Sequence, residues 1–173
     1  MKKNGNRNTV KKILAKLHEE YFHKFDSLLD TSTTGPHWLN DSGVAKITAD
    51  AIHFLDGKKY TLIAYSIMSN HVHLILALNG KETNDDHSAT ESYALTKNLH
   101  SLKRYTALES NRLLHRRGAF WQHESYDHII RDSNELQRTV EYVINNPVAA
   151  GFVKRWEDWK WTYANRDWLE KNL

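Results

Sequence analysis

The spacing of hydrophobic side chains predicts a helical N-terminal region. Between residues 10 and 29, apolar residues recur every three or four positions, as on one side of a helix. A polar loop is expected over residues 30–36. Asn40–Ser42 then offers N-cap residues for a second helix, which Gly57 is expected to stop.

The clearest strand signal along the chain is a β-hairpin. Residues 60–68 are rich in β-forming side chains, Ser69-Asn70 suits a turn, and residues 71–78 continue as a second strand. A polar loop is expected over residues 79–88.

The region after the hairpin predicts a long helix and then an irregular, aromatic-rich segment. The helix is expected from about Ala89 to Leu114, and Ile129-Ile130 is a short strand candidate in the irregular segment. The inner stripe of the helix is expected to contain Leu95, Leu99, Leu102 and Leu113. A tryptophan-rich tail is expected to pack back on the domain, with Trp156, Trp159, Trp161 and Trp168.

A last long helix is predicted from a local capping pattern. Asp132 in the N-cap position and Glu135 three residues later match a capping box. The helix is expected to end at Asn146, because Pro147 lacks the amide hydrogen that a helix interior needs.

Length and composition exclude several classes of protein. With 173 residues, the chain suits one domain, and no apolar run reaches the roughly 20 residues of a membrane span. Polar residues follow the basic start, so no secretory signal is expected. Because cysteine is absent, disulfides, thiolate zinc sites and cysteine nucleophiles are excluded, which fits a reducing compartment.

Three compositional features point towards function, although each also fits an ordinary core. The net charge is +3 with a pI of about 9.0, and the chain has 11 histidines. It also has 6 Trp, 8 Tyr and 5 Phe. Histidine is a common metal ligand, and flat aromatic rings can stack on bases.

The first candidate chemical site is the sequence His71-Val72-His73. Alternate side chains of a strand share a face, so both imidazoles point one way while Val72 and Leu74 point the other. Such a pair can hold one divalent cation, or it can be two histidines satisfied at the surface. The apolar setting favours a partner, because desolvating two polar rings costs free energy.

Tyr142 and Asn146 form a second candidate pair. Their spacing puts them one above the other on the predicted last helix. A phenol with the ordinary pKa of about 10 is a weak nucleophile, but it serves when a metal ion polarises the phosphodiester that it attacks. Asn146 could complete the metal shell through its amide oxygen. The alternative is a helix tyrosine at the edge of the core.

A basic stretch covers the second half of the predicted long helix. Glu109 is the single acid between residues 97 and 117. The stretch fits either a solvated helix face or a track for nucleic-acid phosphates. Its cations are Lys97, Lys103, Arg104, Arg112, Arg116 and Arg117.

Five motifs in order resemble the REP-associated tyrosine transposases, which belong to the HUH endonucleases. They are AYSIMSNHVHLIL (64–76), SLKRYTALESNRLL (101–114), FWQHESYDHIIRD (120–132), EYVINNPVAAGFV (141–153) and WEDWKW (156–161). The resemblance covers roughly residues 36–163. One such motif would be weak evidence, whereas five in register are specific.

The resemblance implies an α+β fold, a ferredoxin- or RRM-like sandwich of an antiparallel sheet with helices on one face. It also implies cleavage and rejoining of single-stranded DNA that folds as hairpins from short palindromic repeats. A helix tyrosine attacks the phosphate, which leaves a 5′-phosphotyrosine link and a free 3′-hydroxyl. A protein of this kind is expected in the bacterial cytoplasm, associated with the nucleoid.

Matched position by position, the resemblance implies roles for four residues. His71 and His73 would bind Mg²⁺ or Mn²⁺, Tyr142 would be the nucleophile, and Asn146 would be a third ligand. The basic stretch over residues 97–117 would suit the DNA partner.

The sequence departs from the family in two places. Ser69 stands where the family commonly has proline. Relatives also begin with a central β-strand, whereas residues 1–35 here are predicted to be a basic helical extension preceding a domain over residues 36–173. The apparently missing strand motivates a second hypothesis, a decayed relative that binds hairpin DNA without cutting it. A third hypothesis is a structural protein whose histidines only pack.

Overall fold

The computed structural model describes residue 29 and residues 35–78, 87–123 and 125–172, and it describes side chains of the third stretch from Tyr93 onward. His37–Leu173 forms one compact unit. The predicted first helix and the proposed strandless N-terminal extension fall almost entirely outside the described residues, so both stay predictions.

Helix α1 spans Ser42–Leu55, and both of its predicted ends are confirmed. The side-chain oxygen of Asp41 accepts hydrogen bonds from the amides of Gly43, at 2.8 Å, and Val44, at 3.1 Å. These bonds satisfy two amides that a helix start leaves without partners. Gly57, with φ +70°, lets the chain turn back after the last residue of α1.

The predicted hairpin is also confirmed. Strands β1 (Tyr60–Ile67) and β2 (Val72–Leu78) pair antiparallel. Across the turn, the amide of Met68 donates to the carbonyl of His71 at 2.9 Å. The hairpin therefore turns immediately before the two candidate histidines.

The C-terminal tail supplies a third strand. Strand β3 (Thr162–Ala164) pairs antiparallel with β1, so the sheet order is β2-β1-β3 and β1 is central. The indole nitrogen of Trp159 donates to the carbonyl of Ile67 at 3.0 Å, which fastens the tail to the sheet. Within the described residues no strand precedes α1, and the place beside β1 is filled by the tail.

Three further helices complete the described fold: α2 (His87–Leu113), α3 (Ser133–Ala149) and α4 (Arg166–Asn172). Helices α1 and α2 cover one face of the sheet, and α3 and α4 cover the other. The α+β class and the antiparallel sheet are confirmed, but the helices lie on both faces rather than on one. The hairpin is almost continuously apolar, so each of its faces needs a covering layer.

The short strand expected at Ile129-Ile130 does not form. The segment is irregular, and Ile129 is 60% exposed. Ile130 instead packs beside α3. Two β-branched residues favour an extended backbone, but a strand also needs a neighbour to pair with, and none lies beside this segment among the described residues.

The inner stripe of α2 also differs from the prediction. Leu113 is 45% exposed, whereas Thr106 and Ser110 are fully buried. The indole nitrogen of Trp121 donates to Thr106 Oγ1 at 2.8 Å, so a polar side chain is satisfied inside. Leu113 lies over Gly43 at the start of α1. A Cβ atom on residue 43 would be only 2.6 Å from the Cδ2 atom of Leu113, so glycine leaves room for the leucine.

Candidate active site

The hairpin brings His71 and His73 together at the start of β2. Their Nε2 atoms are 3.0 Å apart, and their rings are nearly perpendicular, at 86°. His73 is 8% exposed. Val72 and Leu74 pack towards α1 and α2, on the opposite face, as strand alternation predicts.

Asn70 orients the first histidine, a role that sequence analysis missed because it treated this residue only as part of the turn. Its Oδ1 atom is 2.7 Å from Nδ1 of His71. An amide oxygen only accepts hydrogen bonds, so this contact puts the proton on Nδ1 and directs the lone pair of Nε2 towards His73. The adjacency of Asn to His-x-His was the available sequence signal.

The turn itself is anchored despite its departure from the family pattern. The Oγ atom of Ser69 is 3.0 Å from Nδ1 of His37, and its carbonyl accepts from the amide of Leu39 at 3.1 Å. The hydroxyl of Ser69 therefore adds one side-chain hydrogen bond to the segment before α1, beside a backbone bond that proline could also accept.

The two Nε2 atoms are within hydrogen-bond distance of each other, and the same separation fits adjacent ligands of one octahedral cation. Adjacent ligands with bonds of about 2.1 Å are about 3.0 Å apart, which matches the observed 3.0 Å. Mg²⁺ keeps several waters and takes phosphate oxygens from its substrate. In the described part of the chain, no group of three or more His, Asp or Glu side chains is arranged to hold a metal ion.

At the start of α3 the predicted N-cap role of Asp132 is confirmed, but Glu135 bonds the amide of Arg131 and not the amide of Asp132 that a capping box uses. Asp132 accepts from the amide of Glu135 at 2.9 Å, and Glu135 accepts from the amide of Arg131 at 2.7 Å. Burial alone would raise the pKa of Glu135, but these hydrogen bonds and the neighbouring His128 and Arg131 hold it below its ordinary value. The helix that carries the candidate tyrosine thus starts at a defined residue.

Helix α3 presents Tyr142 to the histidine pair. Val140 and Val143 are 5% and 3% exposed and seat the helix on the sheet. The half-buried Tyr142 ring lies edge-on to His73, with the ring centroids 5.9 Å apart. Asn146, one turn further along the helix, is 2% exposed. The histidines and the tyrosine, predicted from separate motifs, therefore meet in one cluster.

The end of α3 corrects the prediction that Pro147 stops the helix. The helix includes Pro147 and continues to Ala149. The amide of Gly151 donates to Val148 at 3.0 Å and that of Phe152 donates to Pro147 at 2.9 Å, which is a Schellman end. Gly151, with φ +75°, ends the helix. Pro147 only removes one backbone hydrogen bond from the last turns of α3, because it has no amide hydrogen.

Three of the six predicted DNA-binding cations are engaged within the fold. The Nζ atom of Lys103 donates to the carbonyl of Gln122 at 3.1 Å. Burial lowers the pKa of Lys103, and the nearby charge of Asp127, which acts in the opposite direction, is the smaller effect. Arg112 bonds both carboxylate oxygens of Glu109, at 3.0 and 2.9 Å.

Arg116 is the third engaged cation. Its guanidinium lies 3.5 Å from the ring centroid of Trp38. It also bonds the side chain of Asn111 and the carbonyl of Ala119. These contacts attach the segment after α2 to the segment before α1, which is a structural role.

Lys97, Arg104 and Arg117 are exposed, and none forms an ion pair or hydrogen bond with another described residue. The structure does not bring α2 to the cluster of His71, His73 and Tyr142. Helix α2 covers the face of the sheet opposite α3.

The comparisons with known proteins agree with this arrangement. The chain is 29% identical over 109 residues to a REP-associated tyrosine transposase of Haemophilus influenzae, covering 62% of this chain and 61% of the relative. It is 36% identical over 47 residues to a REP-associated tyrosine transposase of Escherichia coli, covering 27% and 28% of the two chains. This chain resembles the REP-associated tyrosine transposases.

The fold supports the same resemblance. A solved REP-associated tyrosine transposase bound to a REP hairpin matches with a TM-score of 0.53 and 22% identity, covering 80% of this chain and 74% of that one. No protein-family model matches the chain. The match spans 61% of the length of the Haemophilus relative. No helix in the described ranges is long and apolar enough to cross a bilayer.

Proposed function

We propose that this protein is a REP-associated tyrosine transposase that cuts and rejoins single-stranded, hairpin-forming DNA. Tyr142 is its nucleophile, His71 and His73 hold Mg²⁺ or Mn²⁺, and Asn146 completes the protein ligands. One observation carries the proposal: rings from a strand and from a distant helix, His73 and Tyr142, have centroids 5.9 Å apart. The named activity of the relatives and the REP hairpin in the solved structure support the substrate class.

The proposed reaction needs no external source of energy. The Tyr142 hydroxyl loses its proton, and its oxygen attacks the scissile phosphorus as the bond to the 3′ oxygen breaks. The 3′ oxygen takes up a proton and leaves as a hydroxyl, while the 5′ phosphate stays on the tyrosine. One phosphodiester replaces another, so attack by a 3′-hydroxyl reverses the step and rejoins strands. A bound Mg²⁺ or Mn²⁺ supplies polarisation of the phosphate.

Neighbouring residues hold the candidate metal ligand His71 and the candidate nucleophile Tyr142 in fixed positions. Asn70 keeps Nε2 of His71 directed towards the ion site. The buried side of α3 fixes the helix on the sheet, so Tyr142 is held beside His73 without needing a loop to order. Such an enzyme would act on DNA in the bacterial cytoplasm, at the nucleoid.

Binding of hairpin DNA without cleavage is the second candidate function. It is favoured by the small number of ligands: within the described ranges no group of three or more metal-binding His, Asp or Glu side chains exists. If two imidazoles and one amide hold the ion too weakly, only DNA recognition remains.

The test is formation of a covalent protein–DNA adduct. The full chain is incubated with hairpin-bearing single strands and Mg²⁺ or Mn²⁺, and the products are separated on a denaturing gel. We expect an adduct that disappears in a chelator and in Tyr142→Phe. Tyr93→Phe, which changes an exposed tyrosine on α2, is the matched control and should form the adduct normally.

The two candidate functions give different results in this test. Equal adduct from Tyr142→Phe and the unmodified protein would exclude Tyr142 as the nucleophile. Tight, salt-dependent binding with no adduct in either metal would exclude the transposase reaction and select the binding function.

A further inference from the structure

A cleft between α1 and α2 lies on the face of the sheet opposite the candidate active site. It encloses about 360 Å³, with Phe54 and Leu55 on one wall and Leu102 and Tyr105 on the other. This volume falls within the range of about 300–1,000 Å³ that is usual for small-ligand clefts. Phe54 is 65% exposed and Tyr105 is 55% exposed. Two aromatic rings thus line one cleft open to solvent.

One cation contacts a wall of this cleft, and two more lie next to lining residues along α2. The Nζ atom of Lys58 is 3.5 Å from the ring centroid of Phe54. Lys97 lies one helical turn before a cleft residue, and Arg104 directly precedes Tyr105. Neither Lys97 nor Arg104 has an ion pair or hydrogen bond among the described residues, so both charges are available to a ligand.

Two acidic side chains near the cleft are paired with cations, and a third, Asp56 at the end of α1, accepts from the amide of Leu62 at 2.8 Å. Asp50, the acid in the lining of the cleft, is paired with Lys46 at 2.6 Å. Glu109, further along α2, is paired with Arg112 at 2.9 Å. The cleft therefore combines apolar aromatic walls with an unbalanced positive border, which is the chemistry of platforms that stack the bases of single strands.

We propose that the α1–α2 cleft binds single-stranded DNA, with a base stacked on Tyr105 and phosphates at Lys97 and Arg104. The proposal rests on the proposed function for the class of nucleic acid, but not on the tyrosine reaction. Because the cleft and Tyr142 are on opposite faces of the sheet, the strand held here is a part that is not cut. The cleft then adds affinity and orientation for DNA flanking the cleaved hairpin.

The test measures equilibrium binding of a labelled, unstructured oligothymidylate to the full chain in a chelator, by fluorescence anisotropy. Tyr105→Ala should weaken binding about tenfold because it removes the stacking surface. Tyr105→Phe keeps the ring and should bind like the unmodified protein. Thermal unfolding of both variants checks that neither change disturbs the fold.

The charge arm of the test uses the dependence of binding on salt. We plot the logarithm of the binding constant against the logarithm of the salt concentration. Lys97→Gln and Arg104→Gln should each reduce the magnitude of this slope by about one, as expected for the loss of one phosphate contact. Lys171→Gln, an exposed change on α4 at the other face, is the matched control and should leave the slope unchanged.

Unchanged binding in Tyr105→Ala together with unchanged slopes in both glutamine variants would overturn this proposal. So would a dimer that Tyr105→Ala dissociates in sedimentation, because the cleft would then join two copies of the chain, or tighter binding of an acidic peptide than of the oligonucleotide. Since no metal is present and no adduct is scored, failure here differs from failure of the Tyr142 reaction.

Discussion

The role of His71 depends on the side chain next to it. The contact of 2.7 Å from Asn70 Oδ1 selects the tautomer in which Nδ1 carries the proton. The Nε2 atom of His73 faces that of His71 at 3.0 Å. Metal affinity at the pair should therefore depend on a residue that is not itself a ligand.

We expect Asn70→Ala to weaken Mn²⁺ binding by about 10- to 100-fold, the usual effect of removing a residue that orients a ligand. Asn70→Asp keeps an acceptor oxygen beside Nδ1 and should retain most of the affinity. Calorimetric titration of the full chain measures both. His71→Ala should abolish the binding, and an Asn70→Ala variant as tight as the unmodified protein would contradict the orienting role.

Adjacent arginines after α2 should behave differently on substitution. Arg116→Ala removes the contact with Trp38 and two hydrogen bonds. It should lower the free energy of unfolding by about 1–2 kcal/mol. Arg117→Ala should change it by less than about 0.5 kcal/mol. Urea unfolding separates the two, and equal losses would show that the packing of Arg116 contributes nothing.

The two ends of α3 define the helix that carries Tyr142. Asp132 accepts from an amide of its first turn, that of Glu135, and the Schellman bonds from Gly151 and Phe152 satisfy carbonyls of its last turn. Between these ends, Val140 and Val143 fix which side faces the sheet. The direction of the tyrosine follows from these local features together.

We expect Asp132→Ala to lower the free energy of unfolding by about 1 kcal/mol, because one amide at the helix start loses its acceptor. Gly151→Ala should cost about 1–2 kcal/mol, because alanine is strained at positive φ. Ser133→Ala, an exposed neighbour that makes no capping bond, is the control for urea unfolding. A loss in the control as large as that in Asp132→Ala would refute the capping contribution.

At the scale of the whole domain, the buried tyrosines Tyr60 and Tyr65 make the free energy of unfolding fall as pH becomes alkaline. Burial, with the charge of Asp56, raises the pKa of Tyr60 to about 12. Burial, with Tyr163 and Asp50, raises the pKa of Tyr65 to about 12. In the unfolded chain these hydroxyls ionise near the ordinary pKa of about 10. The stability they contribute is complete below that pH and is lost as pH rises towards 12.

We therefore expect the free energy of unfolding to fall steadily as pH rises above about 10. Tyr60→Phe removes one of the two groups and should make the fall shallower, although it also loses a hydrogen bond of 2.8 Å to the carbonyl of Ile52. Tyr93→Phe, at an exposed position, should leave the slope unchanged. Urea unfolding at several alkaline pH values measures the slope, and the same slope for all three proteins would contradict this account.

The local order of residues predicted most of the elements that build the candidate site. The hairpin, the shared face of His71 and His73, and the start of α3 all depend on hydrogen bonds and side-chain periods within a few residues. The same short range explains the errors. Pro147 was expected to end α3, but the stop depends on the backbone at Gly151. Ile129-Ile130 has no strand to pair with among the residues that the structure describes.

Contacts between distant segments decided the rest. The third strand pairs Ala164 with Ala64, a hundred residues earlier, and no local pattern encodes that register. Whether Arg116 meets DNA or Trp38 likewise depends on which segment folds beside it. Strand and helix periods along the chain singled out the His pair and the tyrosine as candidates, and the resemblance to the transposase family supplied their expected roles. Their meeting at 5.9 Å required packing of α3 on the sheet, because only burial of two apolar faces brings a helix to a strand.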